Sequence, residues 1–175
     1  VTLNAHGQGD VFVSKLDSNG NFVWARAMGG VDDERGEGLA VDASGNVYTT
    51  GFFGGMADFD PGPGVVNMTT QSSSLVSGFV LKLDAGGNLG WVRELSGVPT
   101  AWISSVKLSS SGELYMTGTV DTIADFDPGP GTAITVLRGA FIWKLDNNGN
   151  LIWYRLWQQG SNGNVQFECV TEDPA

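Results

Sequence analysis

Two pairs of aspartates in an identical heptapeptide have residue types and a spacing suited to holding a metal ion. The sequence Asp-Phe-Asp-Pro-Gly-Pro-Gly occurs twice, 67 residues apart, and contributes Asp58 and Asp60, then Asp125 and Asp127. In an extended segment, alternate side chains point to the same side. Calcium takes about six to eight oxygen ligands, which carboxylates and backbone carbonyls supply. The pattern predicts a calcium site in each loop, with the remaining ligands coming from a neighbouring loop or from water.

The same loops have a purely structural interpretation. The aspartates would accept hydrogen bonds from backbone N–H groups in a turn stiffened by proline, while Phe59 and Phe126 would fill the core beside it. A similar choice concerns residues 17–21 and 146–150, which are rich in Asp, Asn and Gly. These two segments lack the closing glutamate of an EF-hand loop, so we predict hairpin turns there.

Aromatic residues provide the other candidates. Trp-x-Arg occurs at 24–26, 91–93 and 153–155, and residues two apart on a strand share a face, where the guanidinium can lie near the indole. This pattern fits either a sugar-binding groove or a ladder between repeated units, and we favour the ladder. The remaining tryptophans are the candidates for a binding or assembly surface: Trp102, Trp143 and Trp157.

The composition argues against several classes of function. The one histidine, His6, lies in a Gly-rich stretch, which does not favour a Ser-His-Asp arrangement or a histidine metal site. A net charge of −10 argues against a nucleic-acid partner, and the single cysteine, Cys169, excludes an intrachain disulfide. No stretch approaches the ~20 apolar residues of a membrane span. We expect no enzymatic activity, and we interpret the acidic group at 32–34 as a solvated loop.

The strongest signal in the sequence is internal repetition. Residues 12–17 read Phe-Val-Ser-Lys-Leu-Asp and recur in similar form at 79–84 and 141–146. Each copy continues through a Gly/Asn turn into one of the Trp-x-Arg segments. A second block at 44–51 returns at 111–118. Self-similarity at a nearly fixed spacing is the signature of a repeat architecture.

Each repeat predicts four short antiparallel strands, which for the second repeat are residues 38–42, 46–53, 78–84 and 88–95. Gly and Asn between them supply the positive φ angles of tight hairpins. A sustained helical period is absent from the sequence, so we expect almost no helix. The prediction is an all-β fold of four-stranded β-propeller blades, with the Asp-Phe-Asp loop inserted between the second and third strands.

The repeat unit resembles a known family. Gly-Asn-Val-Tyr-x-Thr-Gly, then Asp-Phe-Asp-Pro-Gly, then Phe-Val-x-Lys-Leu-Asp-x-x-Gly-Asn-x-x-Trp is similar to the SBBP (seven-bladed β-propeller) repeat. The resemblance covers residues 10–157 and becomes irregular after Arg155. It implies a large secreted or cell-surface bacterial protein in which such repeats act as scaffold or interaction modules.

The repeats divide the chain into four parts. Residues 1–37 form the second half of one blade, 38–99 and 100–160 form complete blades with the insertion, and 161–175 form the first strand of a further blade. About four blades are needed to close a propeller. We therefore expect the exposed blade edges to be covered by further blades of the same polypeptide or by neighbouring copies of the chain.

These observations predict a non-catalytic extracellular structural or interaction module, within a longer secreted protein or a self-assembling surface structure. Two alternatives stay open at this point. One is a propeller section that binds carbohydrate or protein and has calcium-ordered loops. The other is part of a secreted hydrolase that uses the paired carboxylates.

Overall fold

The computed structural model describes residues 2–72, 74–98, 100–160, 167 and 170. Within these residues the chain forms fourteen strands and no helix, which confirms the all-β prediction. Cys169 and nearly all of the strand predicted within 161–175 lie outside the described residues. The strands are β1 (Val11–Leu16), β2 (Phe22–Gly30), β3 (Glu34–Val41), β4 (Val47–Gly54), β5 (Met56–Asp58), β6 (Asn67–Thr69), β7 (Val76–Leu83), β8 (Leu89–Val98), β9 (Ala101–Leu108), β10 (Leu114–Val120), β11 (Ile123–Asp125), β12 (Ile134–Val136), β13 (Gly139–Leu145) and β14 (Leu151–Gln158).

The strands form three antiparallel sheets. The first sheet has the order β1-β2-β5-β6, the middle sheet β12-β11-β8-β7-β4-β3, and the third sheet β14-β13-β10-β9. The middle and third sheets each contain one four-stranded blade, β3-β4-β7-β8 and β9-β10-β13-β14. Strand β3 begins at Glu34, earlier than predicted, because Glu34 still pairs with Phe53 of β4. The propeller-type blade is therefore confirmed.

The hairpin turns between the last two strands of each blade share one design. In the turn at 17–21, the Asp17 carboxylate accepts bonds from the backbone N–H groups of Asn19 and Asn21, both at 2.8 Å. The Asn21 side chain donates to the second carboxylate oxygen at 2.9 Å, and Gly20 has a φ of 82°. The same bonds recur in the turns at 84–88 and 146–150. These segments are hairpin turns, as predicted.

The insertion between the second and third strands forms a hairpin that joins the preceding blade. In the middle blade the insertion contributes β5 and β6, and β5 pairs with β2 of the first sheet. In the third blade β11 and β12 form the equivalent hairpin, and β11 pairs with β8 of the middle sheet. Each insertion therefore extends the sheet of the blade before it, and the sheets are linked by backbone hydrogen bonds as well as by side chains.

Two hydrophobic cores lie at the two junctions between adjacent sheets. At the first junction, the first sheet packs on one face of the middle sheet, and at the second junction the third sheet packs on the opposite face. Alternation along the strands divides the side chains: Phe79 and Leu81 face the first junction, whereas Val80 faces the second. Phe59 and Phe126, one from each insertion, are fully buried in the first and second core respectively.

Candidate functional site

The most elaborate polar contacts in the described chain join one sheet to the turn of the next. At the first junction, the Arg26 guanidinium donates to the backbone carbonyls of Gly86 at 2.9 Å and Gly87 at 2.8 Å. The Trp24 indole N–H donates to the Ala85 carbonyl at 3.0 Å. These carbonyls belong to the hairpin turn of the middle blade, so strand β2 holds the neighbouring blade by its turn.

The second junction repeats this arrangement. Arg93 donates to the carbonyls of Asn148 at 3.0 Å and Gly149 at 3.2 Å, and the Trp91 indole N–H donates to Asn147 at 3.2 Å. In both junctions, a lysine on the adjacent strand donates to the carbonyl that also accepts from the indole, at 3.1 Å in the first and 3.4 Å in the second.

We call each group of three side chains a clamp and each turn that accepts its bonds an acceptor turn. The first clamp is Lys15, Trp24 and Arg26, the second is Lys82, Trp91 and Arg93, and the third is Lys144, Trp153 and Arg155. The acceptor turns are residues 17–21, 84–88 and 146–150.

Each clamp is held in place by its own strands. The arginine carbon Cζ lies 5.5 Å from the indole in the first clamp, 5.3 Å in the second and 5.6 Å in the third. The arginine also donates to the carbonyl of the preceding residue in its own strand, in all three clamps. This geometry confirms that Trp-x-Arg forms a ladder between repeated units.

The paired aspartates of the insertion are occupied by backbone donors. Asp58 Oδ1 accepts from the N–H groups of Asp60 at 3.0 Å and Val66 at 2.8 Å, and Asp60 Oδ1 accepts from Gly62 at 2.8 Å. In the second insertion, Asp125 and Asp127 accept the equivalent three bonds. These contacts make each loop a tight turn that seats its phenylalanine in the core.

A calcium ion would find only part of its ligand set in these loops. In the residues that the structure describes, no group of three or more His, Cys, Asp or Glu side chains could hold a metal ion. Calcium takes about six to eight oxygen ligands. Each loop offers two carboxylates, which already accept backbone N–H bonds, so carbonyls and water would have to supply most of the ligands. Calcium binding by Asp58, Asp60, Asp125 and Asp127 stays a prediction.

The three candidate tryptophans occupy different environments. Trp102 is 47% exposed on β9, and Trp157 is 44% exposed on β14, where the Phe167 ring contacts it edge-on. Trp143, by contrast, is fully buried, and its indole N–H donates to the Phe126 carbonyl at 2.9 Å. Assigning Trp143 to a surface was therefore wrong. Alternation with buried Phe141 on the same strand face was the signal that could have placed it in the core.

Trp102 lines a cavity of about 490 Å³ between β3 and β9. Its ring lies 5.8 Å from the ring of Phe52, and Arg35 lies over that Phe52 ring. Asp33 and Glu37 also line the cavity, and Asp33 pairs with Arg35 at 3.1 Å. Two aromatic faces beside charged side chains are suited to a polar ligand with apolar patches, such as a sugar or a peptide.

Sequence reasoning missed a buried pair of carboxylates at the first junction. Glu34 is only 2% exposed, and one of its oxygens accepts from the Gly30 N–H at 2.7 Å. The Asp10 side chain is 6% exposed and accepts from the backbone and ring nitrogens of His6. Glu34 Oε1 and Asp10 Oδ1 have no hydrogen-bond partner among the described residues. The prediction of a solvated acidic loop is therefore wrong for Glu34, although Asp32 and Asp33 are half-exposed.

Burial changes the acidity of Glu34. Loss of hydration, together with the nearby charges of Asp10, Asp32 and Asp33, raises the pKa of this carboxyl to about 7, although the Gly30 hydrogen bond acts to lower it. The alignment of the repeats carried a signal for this burial, since the residue 67 positions after Glu34 is the fully buried Ala101.

Comparison with known proteins gives two distant relatives. The chain is 32% identical over 112 residues to the regulatory protein FlaEY of Caulobacter vibrioides, which covers 64% of this chain and 12% of that protein. It is 25% identical over 122 residues to the uncharacterized WD repeat-containing protein L264 of Acanthamoeba polyphaga mimivirus, which covers 68% of this chain and 9% of that protein. The chain thus spans about a tenth of each relative. No family model matches the chain.

These findings describe a β-propeller-type repeat module. WD repeats form four-stranded propeller blades, and the blades of this chain have that number of strands. In the described part of the chain, no helix has the length and apolar character needed to cross a membrane.

Proposed function

We propose that this chain is a non-catalytic structural and interaction module that acts outside the cell, within a longer secreted protein or a self-assembling surface structure. The observation that carries the proposal is the recurrence of the clamp, acceptor turn and insertion hairpin at both junctions. The conserved elements of the repeat are thus contacts between blades. The resemblance to the SBBP repeat supports the same role.

The chemistry of the clamps supports a structural role. In the first and second clamps, the arginine donates to backbone carbonyls of the next blade and to one of its own strand, which orders the side chain. A catalytic or ligand-binding arginine needs free donors directed at a substrate. The first and second clamps therefore fit assembly of blades better than they fit chemistry on a small molecule.

An antibody against this segment tests the extracellular location. Intact and permeabilised cells of the source organism should be labelled equally, or the label should appear in the culture medium. A cytoplasmic enzyme assayed in parallel controls for lysis. Labelling that requires permeabilisation would contradict the extracellular part of the proposal.

The non-catalytic part is tested by incubating the purified protein with a panel of chromogenic glycosides and esters. Hydrolysis of any member of the panel would contradict it.

A second candidate function is ligand binding at the Trp102 cavity, favoured by the stacking surface of Trp102 and Phe52 beside Arg35. A carbohydrate that stacks there should quench the tryptophan fluorescence in a saturable way. Trp102→Ala should abolish the quenching, whereas Trp157→Ala, which removes an equally exposed tryptophan elsewhere, should leave it unchanged. A glycan and peptide screen without a hit would remove this candidate.

Calcium ordering of the insertion loops belongs to the same ligand-binding candidate. If calcium binds, the melting temperature should rise on adding calcium to chelated protein, and Asp60→Asn with Asp127→Asn should abolish the rise. Asp17→Asn, in a hairpin turn, is the control. If calcium does not change the melting temperature, the role of these aspartates is to accept backbone hydrogen bonds within the loop.

A further inference from the structure

The two outer sheets each carry one unused half of a junction. On the third sheet, the arginine and tryptophan of the third clamp are arranged as in the other two, with the Cζ atom of Arg155 5.6 Å from the Trp153 ring. Within the described residues, however, Arg155 donates only to the Tyr154 carbonyl of its own strand. Arg155 is exposed and Trp153 is half-buried, whereas Lys144 pairs with Glu113 of its own blade at 2.7 Å. Arg155 and Trp153 are therefore the members of the third clamp that hold no acceptor turn among the described residues.

The apolar side chains around the third clamp are also exposed. Trp157 is 44% exposed, whereas the residues at its position in the other blades, Met28 and Leu95, are 2% and 0% exposed. The register of the sheets establishes this equivalence, because each of the three residues pairs with the residue just before the recurring phenylalanine of the adjacent strand: Val11, Gly78 and Ala140. Among the described residues, the Phe167 ring contacts Trp157 at 5.1 Å, but no sheet covers this outer face as the middle and third sheets cover the equivalent faces of the blades before them.

The first sheet carries the complementary half. Phe12 is 67% exposed and Leu16 is 56% exposed, whereas all four residues at these positions in the other two blades are fully buried in a junction. Those four residues are Phe79, Leu83, Phe141 and Leu145. Exposed aromatic and aliphatic side chains on one sheet face favour association with another surface.

The first acceptor turn is open as well. A methyl group placed on Gly87 would lie 3.0 Å from the Nε atom of Arg26, and one on Gly149 would lie 3.1 Å from that of Arg93. A methyl group placed on Gly20 would meet nothing within 4 Å among the described residues. The turn at 17–21 thus has the same positive-φ glycine as the occupied turns, and no clamp in the described part of the chain lies on it.

We propose that the third clamp binds the acceptor turn at 17–21 of a second copy of this chain, so that the outer face of the third sheet packs on Phe12 and Leu16 of that copy. This inference deepens the proposed function and rests on it. The two internal junctions show how a clamp binds an acceptor turn. The chain also carries a clamp on its third sheet and an open acceptor turn on its first sheet, which are the two parts of such a contact. Since the two halves lie on different surfaces, the contact is head-to-tail and produces a closed ring or a filament.

Gly20→Asn tests the turn without disturbing the isolated chain. Asparagine tolerates a positive φ better than most residues, and its side chain enters open space in the monomer but meets the clamp in the assembly. Gly112→Asn is the matched control, because Gly112 also has a positive φ of 84° and nothing within 4 Å among the described residues, but does not lie in an acceptor turn. Arg155→Ala with Trp153→Ala tests the other half.

Sedimentation velocity and light scattering over a concentration series provide the readout. We expect wild type and Gly112→Asn to form species of at least twice the monomer mass. The Gly20→Asn variant and the double clamp variant should dissociate about 10-fold or more readily. An equimolar mixture of these two variants should give dimers that do not extend, because each variant retains the half that the other lacks.

Two results would overturn the proposal. One is a wild-type chain that stays monomeric up to roughly 100 µM, where contacts of this kind associate, which would assign the open faces to further blades of a longer polypeptide. The other is an oligomer that survives both variants. Neither result depends on whether the protein is extracellular or catalytic. A failure of the head-to-tail contact can therefore be distinguished from a failure of the proposed function.

Discussion

The first and second junctions are built on the same plan but differ at two buried positions. Both have a clamp, an acceptor turn, an insertion hairpin and a buried phenylalanine. At the first junction, the buried polar pair is Asp10 and Glu34, and each has one carboxylate oxygen without a hydrogen-bond partner in the part of the chain that the structure describes. At the positions 67 residues later, the next repeat has Ser77 and Ala101, which are both buried and carry no ionisable group.

This difference separates what the repeat requires from what one junction adds. Contacts present at both junctions hold the blades together, whereas the carboxylates are specific to the first. Burying a carboxyl group costs free energy unless it is paired or protonated. The first junction should therefore be the weaker of the two above neutral pH and should strengthen as the pH falls.

The largest expected effects come from the phenylalanines of the insertions, which fill the cores at both junctions. Phe59→Ala and Phe126→Ala should each lower the free energy of unfolding by about 3–5 kcal/mol, because each removes a fully buried ring. Urea unfolding followed by tryptophan fluorescence measures both. Losses that differ by more than about 2 kcal/mol would break the equivalence of the two junctions.

The pH dependence of Glu34 sharpens the contrast. Its pKa is about 7 in the folded chain and about 4.5 when unfolded, so between these values the folded state keeps a proton that the unfolded state loses. Stability should therefore fall as the pH rises from about 4.5 to about 7, by at most ~3 kcal/mol, and stay level above.

Glu34→Gln should remove most of that slope and should be more stable than wild type at pH 8, as measured by urea unfolding across the pH series. The exposed Glu37→Gln on the same strand controls for the loss of one charge. Some slope of the same sign should persist, because burial also raises the pKa of Glu94, which lies opposite Phe79 on β8. An unchanged slope in Glu34→Gln would assign the pH dependence to other groups.

The clamps give the next effect in size. Arg26→Ala and Arg93→Ala should each cost about 2 kcal/mol, since each loses two charge-assisted bonds to a neighbouring blade. Arg155→Ala, in dilute solution where the chain is monomeric, should cost much less because its arginine bonds only to its own strand. Equal losses for the three variants in thermal melting would show that the contact across the junction contributes little.

The smallest effect should come from the aspartates of the acceptor turns. Hydrogen bonds from Asn88 lower the pKa of Asp84, so the stability they provide is present above about pH 4 and lost as the pH falls through the lowered pKa. Asp84→Asn should slightly lower the melting temperature at pH 7 and leave it nearly unchanged at pH 2. A deficit that is as large at pH 2 would contradict a role for the charged carboxylate.

The features that the sequence predicted are those determined by local patterns. Alternation of apolar residues predicted the strands, Gly and Asn predicted the turns, and the recurrence of Trp-x-Arg predicted the ladder between blades. Each of these patterns depends on a few adjacent residues. Because each pattern recurs in the next repeat, the interpretation of one copy can be checked against the other. The four strands of the middle blade were thus placed within a few residues of their observed bounds.

The features that the sequence did not predict depend on distant partners. Strand β5 pairs with only two residues of β2, and no local pattern identifies a partner so short and so far away in the chain. The burial of Glu34 depends on the segment around Asp10 that covers it, as shown by the bond from the Glu34 N–H to the Gly9 carbonyl at 2.9 Å. Residue type alone favours solvent for an acidic side chain.

The insertion hairpins have a consequence for how such a chain could lengthen. Hairpin β11–β12 is encoded within the third repeat but completes the sheet of the middle blade, so the borders of repeats in the gene and in space do not coincide. A cut at a blade border would leave one fragment with an unpaired edge and the other with a hairpin that has no recipient. Tandem duplication of a whole 67-residue period, from any starting point, keeps every donated hairpin with a recipient strand. Arrays of this kind can therefore gain or lose blades in a single genetic step without inventing a new interface.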